Sequence, residues 1–349
     1  MEPETWNGRL ARWPAMLDVI ELTRKLVDVP SVTGQEGEVG EVLYDLLKGR
    51  GWDCLRQEVT SDRFNVLATR GKGTILLTTH IDTVPPFVSS REDENFVYGR
   101  GSCDAKGIAA AMICAADALL REDFSDFGLL FVVGEETDSI GAAKVQELNL
   151  DCSFFIDGEP TDNELVIAHK GIVYARISTQ GVAAHSAYPE KGDSAIDKLI
   201  DILNRLRETE FPTDSRLGET HFNIGTIQGG RAANVVADHA HADILLRTVS
   251  ESQHYLTLLE EQVEGRGRLE VLKTSEPQEM ETVEGFPTKI VGYGTDIPVL
   301  RPLGRPLLFG PGSILQAHTA DEKVSKQELL DAVDLYQKLI RELRKKIDD

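Results

Sequence analysis

The chain has 349 residues, 41% of them hydrophobic, and its 37 basic and 58 acidic side chains give a formal net charge of −21 at pH 7. That surplus repels phosphate backbones and anionic lipid, so nucleic acid and membrane surfaces are excluded as expected partners. Cys54, Cys103, Cys114 and Cys152 form no C-x-x-C pair, "MEPETWNGRL" lacks the apolar core of a signal peptide, and no apolar run reaches the roughly 20 residues of a membrane span; a cytoplasmic protein is expected.

In chain order, "LDVIELTRKLVDV" (17–29) and "EGEVGEVLYDLLKGRG" (36–51) have helical periodicity. "NVLAT" (65–69), "TILLTTH" (74–80), "GLLFVVGEE" (128–136) and "SFFIDGE" (153–159) are short apolar runs bounded by turn residues and read as strands. The alanine-rich "DAKGIAAAMICAADALL" (104–120) supplies a crossover helix. This alternation predicts an α/β domain, a mostly parallel sheet sandwiched by helices.

From Gly171 the texture changes. Strands at 171–179, 221–229, 241–249 and 267–273, with helices near 193–208 and 252–265, give the βαββαβ order of an inserted, ferredoxin-like α+β domain. After Phe286 the α/β texture returns: "RPLLFGPGSI" reads as a strand and loop, and 325–347 as a closing helix with basic residues near its C-terminus, where the helix dipole favours them. The expected domains are 1–170 with 285–349, and 171–284.

Ligand-type side chains gather at the predicted strand ends and at one helix start: His80 with Asp82, Asp104, Glu135 with Glu136, and Asp157 with Glu159. In open α/β sheets that edge is where ligands bind. Taken singly, each has a plainer role: His80 as a core histidine, Asp104 as a helix N-cap, the glutamate pair as a solvated loop. Together they are costly, because adjacent carboxylates repel unless a cation or proton compensates. Imidazole plus carboxylates without clustered thiolate suits zinc, cobalt or manganese in a hydrolytic site, with one carboxylate bridging two ions. His318, in "GPGSILQAHTADE", is available as a further ligand from the returning segment.

The stretches "TTHIDTVP", "YGRGSCDAKGIAAAM", "VVGEETDSIGA", "DGEPTDNELVIAHKG", "GVAAHSAYPEKGDSAI" and "FGPGSILQAHTADE" resemble the successive signatures of the dinuclear zinc amidohydrolases, the family of acetylornithine deacetylase, succinyl-diaminopimelate desuccinylase, aminoacylase and carboxypeptidase G. The resemblance runs from about residue 15 to the end. It implies a zinc-peptidase-like catalytic domain holding two divalent ions, with an inserted domain serving as lid and homodimer contact. It makes His80 a ligand of the first metal, Asp82 the carboxylate fixing that imidazole's tautomer, and Asp104 the bridging carboxylate, in a motif whose next peptide bond is often cis. Glu135 takes the position of the general base, Glu136 and His318 those of second-metal ligands, and Glu159 that of the remaining first-metal carboxylate, with Asp157 as the alternative. In the inserted domain His185 matches an oxyanion-stabilising histidine that reaches into the partner's site, and Asn234 and Arg247 match holders of the substrate carboxylate, although the proline often found after that arginine is absent from "LLRTVS".

The activity so implied is hydrolysis of the amide bond of an N-acyl amino acid or small peptide. "YGTD" and the His318 segment look closest to the acetylornithine deacetylase branch, which puts N-acetyl-ornithine first and leaves succinyl-diaminopimelate, N-acetyl-lysine, N-acetyl-citrulline and small peptides open. Two other classes share the same residues: a metal-binding homologue without turnover, against which the intact Glu135 speaks, and a two-metal phosphoesterase, which leaves Asn234 and Arg247 without a task.

Overall fold

The computed structural model describes residues 16–348. The opening decapeptide read above for a leader lies outside them. The chain divides into two compact units: residues through Leu165 with Val283–Phe286 and from Val299 onward, and Val166–Thr282 with Pro287–Pro298.

In the first unit helices α1 (Val19–Val27) and α2 (Gly37–Gly49) precede strands β1 (Asp53–Thr60), β2 (Arg63–Arg70) and β3 (Ile75–His80); helix α3 (Lys106–Arg121), β4 (Phe127–Val132) and β5 (Phe154–Asp157) follow. Asp18 starts α1 by accepting the amides of Ile20 and Glu21. The sheet order is β1-β2-β4-β3-β5, closed by a returning strand, Arg305–Leu308. β3 lies parallel to β4 and β5, and β5 parallel to the returning strand, as expected. The β1–β2 and β2–β4 pairs are antiparallel, so the sheet is mostly parallel with an antiparallel edge. The reason is local: only Ser61 and Asp62 separate β1 from β2, and so short a link can join strands only as a hairpin. β1 itself escapes sequence reading because it is an edge strand, largely exposed and without an apolar run.

β3, β4 and β5 are buried along their whole length. Against them lies α3, whose alanines let it approach closely, and α3 packs in turn on α1 and on the C-terminal helix Lys326–Asp348. That helix buries Leu329, Ala332, Tyr336, Leu339, Ile340 and Leu343, spaced so that one stripe faces the core; each large aliphatic among them contributes about 1.5–3 kcal/mol. Gly158, just past β5, has no room for a side chain: an added Cβ would stand 2.5 Å from Met112 and 2.6 Å from Ile108 of α3.

The second unit contains β6 (Leu165–His169), β7 (Gly171–Gln180), α4 (Ala195–Glu208), β8 (His221–Gly229), β9 (His239–Thr248), α5 (Ser252–Val263) and β10 (Arg268–Ser275). β8-β9-β7-β10 form an antiparallel sheet, and the β7-α4-β8-β9-α5-β10 succession is the βαββαβ order read from the sequence. Alternate residues Val173, Ala175 and Ile177 of β7 and Ala240, Ala242, Ile244 and Leu246 of β9 meet Leu199 and Ile202 of α4 and Tyr255 and Leu259 of α5 in one core. The expected single return near residue 285 needs correction. Val283–Phe286 belong to the first unit, but Thr288–Val291 form a strand beside β6, with Gln278–Glu279 on its other edge, so this pairing keeps residues 287–298 with the second unit until Val299. No helix of the described residues is long and apolar enough to cross a membrane.

Candidate metal centre

His80 is the last residue of β3, β4 runs out into the turn carrying Glu135 and Glu136, β5 leads through Gly158 to Glu159, and the returning strand leads to the His318 loop. These parallel strand ends bring their side chains together. His80 Nε2 lies 2.9 Å from Asp104 Oδ1, and Asp104 Oδ2 lies 3.4 Å from His318 Nε2. His318 Nε2 is also 3.0 Å from the Glu136 carboxylate. Ligand atoms of His80, Glu135 and Glu159 all fall within 4.8 Å of one another, as do those of His80, Asp104 and Glu136. Asp104 thus spans two imidazoles, one through each oxygen. It does not cap α3: Ala105 occupies that position, after a cis Asp104–Ala105 peptide of the kind the resemblance implies. Glu159 joins His80 and Glu135, whereas Asp157 is the closing residue of β5.

Asp82 has more than one contact here. His80 Nδ1 is 3.0 Å from the Asp82 backbone carbonyl but 3.5 Å from its carboxylate. Both the main-chain oxygen and the carboxylate of Asp82 thus face the imidazole nitrogen, and the fully buried carboxylate also serves the neighbouring turn. It accepts the amides of Gly134 at 3.0 Å, Glu135 at 3.1 Å and Glu136 at 3.2 Å, and the Thr33 hydroxyl at 2.8 Å. Gly134 allows that turn, with φ +83° and a site where a Cβ would meet Arg63 at 2.8 Å. Pro85 and Pro86, joined by a cis bond, follow only after Thr83 has made an isolated parallel bridge with Val32.

The electrostatics are those of a crowded acidic cluster. Burial, then the charges of Glu135 and Asp104, push the Glu159 carboxyl well above the usual range. Burial also opposes a charged His80, yet hydrogen bonds to Asp104 and Asp82 hold its pKa well above the ordinary value. Hydrogen bonds to Asp104 and Glu136 raise His318 to about 10. Asp104, though burial works the other way, is drawn below its normal range by both imidazoles. Four carboxylates sharing two imidazoles fit divalent cations, which neutralise such a cluster without protons.

His185, Asn234 and Arg247 lie in the second unit. His185 and Asn234 sit side by side: Ser186 N–H donates to the Asn234 carbonyl at 3.0 Å, and His185 bridges Val235. Both side chains are exposed, and the His185 Nδ1 accepts the Ala187 amide at 3.1 Å. Arg247 is at the other end of β9, opposite Ile172 and His221, half-buried, and burial lowers its pKa. Two residues without an assigned task in the sequence reading also touch this machinery: Thr33, which precedes any motif, and Glu322, which closes the "HTADE" run.

A strand-end centre of imidazoles and carboxylates on an α/β sheet defines the metal-dependent hydrolase class. Residues 167–265 match the M20 peptidase dimerisation domain. A peptidase M20 domain-containing protein of Schizosaccharomyces pombe is 37% identical over 340 residues, covering 94% of this chain and 85% of its own. A probable carboxypeptidase of Aspergillus terreus is 37% identical over 366 residues, covering 91% and 84%. A solved structure, a dinuclear metal-binding peptidase of the M20 family from Bacillus subtilis, superposes with a TM-score of 0.69 at 16% identity, covering 92% of this chain and 96% of that one. The chain belongs to the M20 peptidase family and is a hydrolase of that class. These are peptidase names, coarser than the acetylornithine deacetylase branch that the motifs resemble.

Proposed function

We propose that the protein hydrolyses the amide bond of a small peptide or N-acyl amino acid, the scissile nitrogen belonging to an amino acid with a free carboxylate. The observation that carries this reading is Asp104, with one oxygen toward His80 and the other toward His318. His80, Asp104 and Glu159 would hold one divalent ion, and Asp104, Glu136 and His318 a second, with zinc as the expected metal. Bound there, the ions would supply positive charge that polarises the scissile carbonyl and acidifies water. Glu135 takes the proton of the attacking water as the new C–O bond forms, then passes it to the amine nitrogen as the C–N bond breaks. His185 donates to the developing oxyanion, and Asn234 and Arg247 hold the substrate carboxylate.

His185 and Asn234 at one end of β9 and Arg247 at the other are separated by the strand's length, about 25 Å at ~3.3 Å per residue. One small substrate cannot reach all three in a single copy, so the reading includes a homodimer in which His185 and Asn234 act on the partner's substrate. The match to a peptidase dimerisation domain supports it.

The carboxypeptidase name of the Aspergillus relative favours release of a C-terminal residue. A second reading, deacetylation of N-acetyl-ornithine, is favoured by "YGTD" and "FGPGSILQAHTADE". Zinc- or cobalt-loaded enzyme assayed on dipeptides, tripeptides, N-acetyl-ornithine, other N-acyl amino acids and p-nitrophenyl phosphate separates these readings. Turnover of peptides or N-acyl amino acids is expected; phosphate release without amide cleavage would refute the proposal.

A further inference from the structure

Glu322 stands four residues beyond His318 and is 2% exposed, yet it takes no part in the ligand cluster. Its Oε1 accepts the backbone amides of Gly101 at 2.9 Å, Cys103 at 3.1 Å and Asp104 at 3.2 Å. Its Oε2 takes the guanidinium of Arg100, itself 4% exposed, and its carbonyl accepts the Gly99 amide at 3.0 Å. One residue thus ties the turn presenting Asp104 to the segment presenting His318, although more than 200 residues separate them in the chain. Asp82 does the same for Gly134, Glu135 and Glu136.

Three amides and a guanidinium occupy both oxygens of this carboxylate, although burial and the nearby Asp104 charge still raise its pKa, so its contacts are to the protein and not to the ligand cluster. Its energetic use is preorganisation. Asp104 and His318 have to reach the same ion, and ligands already held at the right separation lose little freedom when that ion arrives. We propose that Glu322 is a positioning residue, a clamp that fixes Asp104 relative to His318 and thereby sets the affinity for the ion they share. This rests on the metal-centre reading above.

The test is zinc titration of metal-free wild type, E322Q and R100K against a chromophoric chelator, with folding checked by circular dichroism and melting. In E322Q the remaining carbonyl can still take the amides, but the new NH2 group faces Arg100, donor against donor. Wild type is expected to bind two ions and E322Q to bind one of them about 10- to 100-fold more weakly, the usual range for loss of a group that supports a ligand. R100K, which keeps the three amide contacts, loses less. Excess zinc restores the kcat of E322Q at unchanged KM, which damage to the fold would not allow. Unaltered affinity for both ions in folded E322Q overturns the proposal. Should E322Q fail to fold, R100K decides: weakened zinc supports the clamp and unchanged zinc overturns it. Absence of zinc binding by wild type removes the metal-centre reading, and the clamp with it.

Discussion

His80 closes β3 in the first unit and His169 closes β6 in the second, and both imidazoles are buried. Burial pushes both toward the neutral form, yet they end on opposite sides of the ordinary histidine value. His80, with Asp104, Asp82 and Glu159 around it, is raised. His169 is lowered to about 4 by burial, with the Arg247 guanidinium adding to the effect and the Lys170 carbonyl, 2.8 Å from Nδ1, opposing it. Position at a strand end and burial are common to the two, so neither marks a metal ligand. The company of carboxylates does, and the sequence already hints at it: "HID" in one case and "HKG" in the other.

Chelation acts most strongly on the acids around His80 and leaves His169 untouched. Removing divalent ions is expected to reduce amide hydrolysis to background and lower the melting temperature, both reversed by zinc or cobalt, because the acids around His80 would lose their compensating charge. A chelated enzyme that keeps its activity would mean that the cluster is merely structural. Next in size, Glu135→Ala is expected to lower kcat by about 10²–10⁴-fold with metal content near normal, the range for loss of a general base. Substantial turnover by metal-replete variant protein would remove Glu135 from that role.

The second histidine supplies the third test. Its folded pKa of about 4 lies below the unfolded value of about 6.5, so between those values the unfolded chain binds more protons. Stability is therefore fully present above pH 6.5 and falls as the pH drops toward 4, by up to ~3 kcal/mol. Urea midpoints across that window, compared with His169→Phe, should show the dependence flattened in the variant; parallel curves would contradict it. The smallest effect belongs to Thr33→Val. It removes one of four hydrogen bonds to Asp82, a net ~1 kcal/mol, and kcat should fall by no more than about fivefold. A loss as large as that of Glu135→Ala would show that Asp82 depends on Thr33 far more than hydrogen-bond counting allows.

Much of the framework is legible in the sequence because it is local. The periodicity of the helices near 17–29 and 325–347, the apolar runs of β3, β4 and β5, and the βαββαβ order all follow from neighbours along the chain. What stays hidden is non-local or backbone-mediated. β1 has no apolar run to announce it, and the pairing of Thr288–Val291 with β6 depends on a partner more than a hundred residues earlier. Nearness of His80 and His318 to Asp104 comes from matching ordered motifs, since no period connects positions so far apart. Much of the work of Asp82 and Glu322 is done on amide hydrogens, which every residue but proline carries, so side-chain chemistry alone gives no sign of that part.

The staggered return of the chain bears on how the second unit could be cut free. A fragment ending at residue 284 would strip β6 of its neighbour Thr288–Val291 and bare a row of unpaired amides and carbonyls, an adhesive edge that invites other chains. One running to Pro298 would keep that edge covered, at the expense of carrying the short Val283–Phe286 excursion as a passenger loop.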